Sequence, residues 1–407
     1  MIKFTRHTLD NGLTMICNTD TSTPFVSVNI LYKVGARDED PNRTGFAHLF
    51  EHLMFGGSKH IADYDYHVQK AGGDSNAFTN NDYTNYYITI PAPNIETALW
   101  LESDRMLALD FSQKSLDVQR NVVIEEFKQR YFNNPYGDIW LKLRPLAYKV
   151  HPYQWPTIGK NIDHIAGASL EEVEDFFHRF YAPDNAILSI SGNISDEKAL
   201  ELVKKWFGDI PPARYKRKAL PMEPQQTDEH NKVPADAIYK VYHMGDRRSD
   251  NFYTCDTISD ILSNGQSSRL YINLIKNGKL FSEVDAYITG DMDPGLFIFS
   301  GKLSEGVAIE EAEAAIQNEI DHFIEDPISE RELQKVINKT EARISYSEIN
   351  YQGKSANLAF FDYLGDVNLI NSESTRYAEV SLDSIKQTAR ELFSAKNCST
   401  LWYLKDK

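Results

Sequence analysis

The stretch Thr44-Gly45-Phe46-Ala47-His48-Leu49-Phe50-Glu51-His52-Leu53-Met54-Phe55 decides how the rest of the chain is read. Behind Gly45, the apolar residues Phe46, Leu49, Phe50 and Leu53 recur at helical spacing, so the segment reads as a helix with a packing face. On such a helix His48 and His52, four residues apart, lie above one another and can grip one ion. Glu51 sits one residue off that face, beside the position a metal leaves open, where a carboxylate can take a proton from bound water.

A histidine pair on a helix is more often surface decoration than a ligand set, and 11 histidines in 407 residues allow a chance match. The order HxxEH is nevertheless one of the zinc-peptidase motifs, the reverse of HExxH. A catalytic zinc also needs a third protein ligand. His60 and His67 stand in no matching pattern and read as surface residues. The better candidate is a carboxylate on the helix expected from Ser115 to Tyr131, within Arg120-Asn121-Val122-Val123-Ile124-Glu125-Glu126. Glu126 continues an inward stripe from Val122 and Val123. Glu125 is rotated about 100° away and is expected to meet solvent or a cation.

Composition sets the frame. A chain of 407 residues with 42% apolar and 25% charged residues predicts a globular protein of two domains or more. No apolar run approaches the ~20 residues of a membrane span. The first residues lack the apolar centre of a signal peptide, and Cys17, Cys255 and Cys398 are scattered; both features predict a cytoplasmic protein without a thiolate metal site. A net charge of −16 disfavours nucleic acid and anionic membrane as partners.

A repeat is visible at an offset of 212 residues. Ser169-Leu170-Glu171-Glu172-Val173 and Ser381-Leu382-Asp383-Ser384-Ile385 each open a helix that ends near an asparagine, Asn185 or Asn397, and a short strand follows. The expected organisation is an N-terminal metal-binding domain over 1–212, a proline-rich linker over 213–234 acting as a semi-rigid spacer, and a homologous domain over 235–407. Asp10-Asn11-Gly12 predicts a hairpin. Strands are expected from Val26 to Val34, Tyr83 to Ile90 and Ile238 to Met244, with a further hairpin across Asp293-Pro294-Gly295. Helices are expected over 96–109, 113–131, 251–263 and 267–276, and another opened by the capping box Ser329 to Glu332. The fold class is α+β: two homologous domains, each a mainly antiparallel sheet with helices packed on one side.

Gly35-Ala36-Arg37-Asp38-Glu39 together with Thr44 to Phe55, Asn76-Ala77-Phe78-Thr79 with Tyr83 to Tyr87, Arg120 to Glu126, and His151-Pro152-Tyr153 closely resemble the pitrilysin/insulinase family, in its short-subunit branch. The resemblance is strong over the first half and rests in the second on the repeat and Ser267 to Tyr271. It implies a zinc metalloendopeptidase with one Zn²⁺ held by His48, His52 and Glu126, and Glu51 as general base. It implies that peptides or unfolded segments are cut inside a two-subunit clamshell, with Asn76 and Ala77 pairing to substrate main chain as an added strand. An alternative is a non-catalytic or weakly active peptide-binding subunit.

Two departures bear on that alternative. Many relatives carry a glutamate on the Glu126 helix where Gln119 stands here, and an amide cannot store a proton. Catalytic members also place an Arg and a Tyr in the second half, where this chain reads Lys276-Asn277-Gly278-Lys279-Leu280-Phe281. The expectation is a dimer, and a heterodimer if a homologous partner supplies the Arg and Tyr.

Overall fold

The computed structural model describes every residue except 135, 218, 222–231, 234–236, 327 and 404–407. The expected linker over 213–234 therefore falls largely outside the described residues. The chain divides into two compact units: Met1–Arg144, Val150–Pro221 and Tyr346–Asn371 form the first, and Pro145–Lys149, Met222–Ser345 and Ser372–Lys407 the second.

The first unit is built on a six-stranded sheet. In chain order its strands are β1 (Thr5–Thr8), β2 (Thr14–Thr19), β3 (Phe25–Tyr32), β4 (Asp74–Thr79), β5 (Thr84–Pro91) and β6 (Ala186–Gly192), and they lie side by side as β1-β2-β6-β3-β5-β4. Only β2 and β6 run parallel. The first hairpin turns where Asp10-Asn11-Gly12 predicts it, with Leu9 N–H donating to Leu13 O at 2.9 Å. Val26, Val28 and Ile30 of β3 and Leu188 and Ile190 of β6 face a core shared with Leu49, Phe50, Leu99, Phe176 and Phe177.

The opposite face corrects the one-sided sheet. Ser27 and Asn29 of β3 lie beside Ser191 and Ser189 of β6, and all four side chains of this polar row are buried. The helix Tyr351–Leu364 packs across β3 and β6, and Ser355 Oγ lies 2.9 Å from Ser27 Oγ. Asn29 and Asn85 satisfy each other beneath it, with amide hydrogen bonds of 2.9 and 2.8 Å. Small side chains let a helix approach closely, and hydroxyl and amide pairing offsets the cost of burying Ser27, Asn29 and Ser191, whereas Ser189 Oγ has no partner among the described residues. Helices therefore lie on both faces of this sheet.

The second unit carries β7 (Lys232–Val233), β8 (Ala237–His243), β9 (Phe281–Ile288), β10 (Leu296–Leu303) and β11 (Cys398–Tyr403), side by side as β7-β11-β8-β10-β9. Again one pair, β7 and β11, is parallel and the rest antiparallel. This order matches β2-β6-β3-β5-β4 strand for strand, so the two units repeat one α+β topology. The repeat reaches single side chains. Asn185 donates to Phe180 O at 2.8 Å and Asn397 to Leu392 O at 2.9 Å, each satisfying a carbonyl at the end of its helix. The helices Leu170–Phe180 and Leu382–Leu392 both begin with a serine capping box. The helix expected over 267–276 winds more loosely, with π-type bonding from Tyr271 to Asn277. Among the described residues no helix is long and apolar enough to cross a membrane.

Candidate metal centre

Two helices of the first unit make the site. The helix Phe46–Leu53 buries Phe46, Leu49, Phe50 and Leu53 and turns the His48–His52 edge toward the helix Gln113–Tyr131. That second helix buries Leu116, Val123, Phe127 and Tyr131. Val122 does not belong to this stripe: it is 46% exposed. Glu126 flanks the buried stripe through Val123, one turn earlier, and its side chain is 36% exposed. Glu125 is 64% exposed and pairs with Lys128 at 2.7 Å.

His48 Nε2 lies 3.6 Å and His52 Nε2 3.5 Å from Glu126 Oε2. One donor atom from each residue fits within 4.8 Å of the others. Those two separations are long for a hydrogen bond. They are close to the ~3.3–3.4 Å that separates donors around a tetrahedral ion with bonds of about 2.0–2.1 Å. Burial, the largest influence, pushes the His48 imidazole down to about 4; Glu126 opposes, while His52 and Arg130 push the same way. His48 is thus a neutral ring with a lone pair at neutral pH. Glu126 is held below the ordinary carboxylate range, first by the approach of His52, then against partial burial by the charges of His48, His52 and Arg130. Two imidazole nitrogens and one carboxylate are a donor set that fits zinc and leaves room for a fourth ligand. Among the described residues His48 Nδ1 is buried and has no hydrogen-bond partner, so no bond at that nitrogen orients the ring.

Glu51 is half-buried on the same helix, and burial raises its carboxyl against the nearby Thr79 and His52. Thr79 ends β4, which forms the outer edge of the sheet beyond β5. Asn76 and Ala77 lie in the middle of this edge strand, and Asn76 Oδ1 accepts from Ala77 N–H at 2.8 Å. Gln119 lies two turns before Glu126 and approaches Gly56, just past the His52 helix. His60 is exposed, paired with Asp104 and not one of the three converging donors.

Three neighbours of the site escaped the sequence reading. Glu39 is fully buried and takes the Gly45 and Ala47 N–H groups, each at 2.8 Å. His164 Nδ1 accepts from Thr44 N–H at 3.1 Å. Arg130 Nη1 stands 3.6 Å from Glu126 Oε1. Two signals pointed at Glu39: its place in the Gly35 to Glu39 stretch that carries the family resemblance, and a helix start at Gly45 with no side chain able to cap it. The spacing of Arg130, four residues after Glu126, was visible but common on any charged helix.

Comparison with known proteins gives a consistent result. Residues 14–141 match the model of insulinase, peptidase family M16, and residues 167–340 that of the peptidase M16 inactive domain. A zinc protease, PqqE, from Helicobacter pylori is 28% identical over 413 residues, covering 97% of this chain and 91% of its own. The crystal structure of a protease from Helicobacter pylori superposes with a TM-score of 0.92 at 26% identity, covering all of both chains. The periplasmic protease PqqL from Escherichia coli shares the fold, with a TM-score of 0.80 at 18% identity, over 99% of this chain and 48% of its own.

Proposed function

The chain belongs to the insulinase family of peptidases, M16, and from that premise we propose that it is a zinc metalloendopeptidase whose ion is held by His48, His52 and Glu126. The observation that supports this reading is the convergence of three donor atoms from two helices within 4.8 Å of one another, with both histidine nitrogens 3.5–3.6 Å from Glu126 Oε2. When bound, the ion polarises a scissile carbonyl and acidifies water at neutral pH. Glu51, next to His52 in the chain, takes the proton of the attacking water and returns it to the leaving amine. The outer edge of β4 supplies unpaired main-chain groups, so an extended peptide adds there as a further strand, with Asn76 and Ala77 fixing its register. Substrates are peptides or unfolded polypeptide segments, since a strand-pairing site needs extended main chain.

Glu51→Gln tests the assignment. It retains zinc and peptide binding and loses roughly 10²–10⁴-fold in turnover, the usual worth of a general base. Near-normal hydrolysis by this variant contradicts the role given to Glu51.

A second feature favours pairing with a homologous subunit. The segment Lys276 to Phe281 carries no arginine or tyrosine, and in PqqL a single chain is about twice as long as this one. We propose a heterodimer in which the partner completes the substrate clamp. A purified homodimer fully active on quenched peptides overturns this, and a weakly active one that gains activity with a homologous partner supports it. A chain that binds zinc and peptide yet stays inert with every homologous partner would instead be the peptide-binding subunit.

A further inference from the structure

The helix that carries His48, Glu51 and His52 is eight residues long, too short to hold its own geometry in water. Its N-cap, Gly45, has φ 94° and offers no side chain to the first-turn N–H groups. Nor is a Ser or Asp cap available at that position. A Cβ on Gly45 would meet Ile158 O at 2.7 Å, and the left-handed backbone disfavours any other residue. The cap comes instead from outside the helix. Glu39 Oε2 accepts from Gly45 N–H and Oε1 from Ala47 N–H, both at 2.8 Å.

This acid is costly to keep ionised: burial, the largest influence, raises its carboxyl to about 8 against the Ala47 and Gly45 N–H groups and Trp155. Glu39 is 6% exposed, and among the described residues no lysine, arginine or histidine forms an ion pair with it. The loop that presents it is itself anchored. Trp155 Nε1 donates to Ala36 O at 3.0 Å, and Arg37 Nη1 pairs with Asp82 Oδ1 at 2.9 Å. A buried acid without a cation costs stability, so its place here calls for a role that a neutral residue would not fill.

Its geometry points to that role. A single cap bond fixes where a helix starts, whereas two bonds from one rigid carboxylate, two residues apart, also fix its rotation about its axis. The second bond falls on Ala47, immediately before His48. A turn of 10° moves an atom ~6 Å from the axis by about 1 Å. Metal–ligand distances tolerate only ~0.2 Å.

We propose that Glu39 is a positioning residue that sets the rotation of the His48–His52 helix and so aims both imidazoles at Glu126. The proposal rests on the zinc reading above. It places the worth of Glu39 in metal affinity more than in the stability of the fold. Its effect passes through two backbone N–H groups, so an acceptor at both carboxylate oxygens is required. Gln at 39 keeps one acceptor and turns an NH₂ group on the other N–H, while Asp keeps both acceptors on a shorter arm.

The test is zinc titration of the metal-free protein in competition with a chromogenic chelator, together with thermal unfolding of the metal-free state. The variants are Glu39→Gln, Glu39→Ala and Glu39→Asp, with Val203→Ala, a buried residue far along the chain, as a destabilised control. Glu39→Gln is expected to weaken zinc binding tenfold or more. Glu39→Asp recovers part of that loss, and Val203→Ala lowers the unfolding temperature with zinc affinity unchanged. Wild-type zinc affinity in Glu39→Gln overturns the proposal and leaves the zinc site standing. Equal loss of affinity in Val203→Ala, at equal loss of unfolding temperature, also overturns it by reducing Glu39 to general stability. A wild-type chain that takes up no zinc removes the parent reading and this one together.

Discussion

Lys354 Nζ lies 2.5 Å from Asp20 Oδ2 and ties the helix Tyr351–Leu364, from late in the chain, to the turn between β2 and β3. Hydrogen bonding to Lys354, the largest influence, with help from Ser22, lowers the Asp20 carboxyl from 3.8 to about 2. A carboxylate whose folded value lies below its unfolded one contributes stability above the unfolded value and loses it as the pH falls through the folded one. The tether is therefore complete above about pH 4 and gone near pH 2. Lys354→Met should remove about 1 kcal/mol at neutral pH and flatten acid unfolding between those limits. Urea unfolding at several pH values checks this; coincident acid curves for the two proteins contradict it.

Gly45→Ala should be among the most damaging single-methyl changes in the first unit. The added Cβ meets Ile158 O at 2.7 Å on a backbone with φ +94°. Left-handed strain alone costs roughly 1–2 kcal/mol, and the clash adds to it. Chemical denaturation should report a loss of about 2 kcal/mol or more, with weakened zinc uptake because the His48 helix begins here. A neutral outcome would mean the loop around Ile158 yields freely.

How much of this was legible beforehand varied with the range of the contact. His48, Glu51 and His52 share one helix, so their relation followed from helical spacing. Glu126 was reachable because its helix is long and Val123 fixes an inward side one turn earlier, although Val122 is left in solvent. The repeat was visible because Asn185 and Asn397 do the same job at each helix end. The packing of the helix Tyr351–Leu364 on β3 and β6 is not legible in the sequence, because nothing in the spacing of Ser27, Asn29, Ser189 and Ser191 says which distant helix covers them. Glu39 was missed for a related reason: an acid in a polar loop gives no sign in sequence that it folds inward to cap a backbone.

Arg130 provides a contrast with Glu39. Its guanidinium is 60% exposed, four residues after Glu126, and 3.6 Å from the outer carboxylate oxygen. Exposed pairs of this kind are worth little. Arg130→Ala should change zinc affinity by no more than about threefold. Competition titration measures it, and a tenfold loss would show that the outer oxygen of Glu126 needs its cation.

Chelation should act on activity before it acts on the fold. Each unit has its own apolar core, and the three donors are carried by helices that pack on the first of them. Dialysis against a strong chelator should abolish peptide hydrolysis while far-UV circular dichroism stays unchanged, and one equivalent of zinc should restore activity. Global unfolding on chelation would assign the ion a structural role instead.

The most direct measurement is the zinc content of the purified chain and of single-ligand variants by elemental analysis. One zinc per chain is predicted in the wild type and in Glu51→Gln, with none retained by His48→Ala or His52→Ala and little by Glu126→Ala. A wild-type chain that binds no zinc, or His48→Ala and His52→Ala variants that keep a full equivalent, would contradict the site formed by His48, His52 and Glu126.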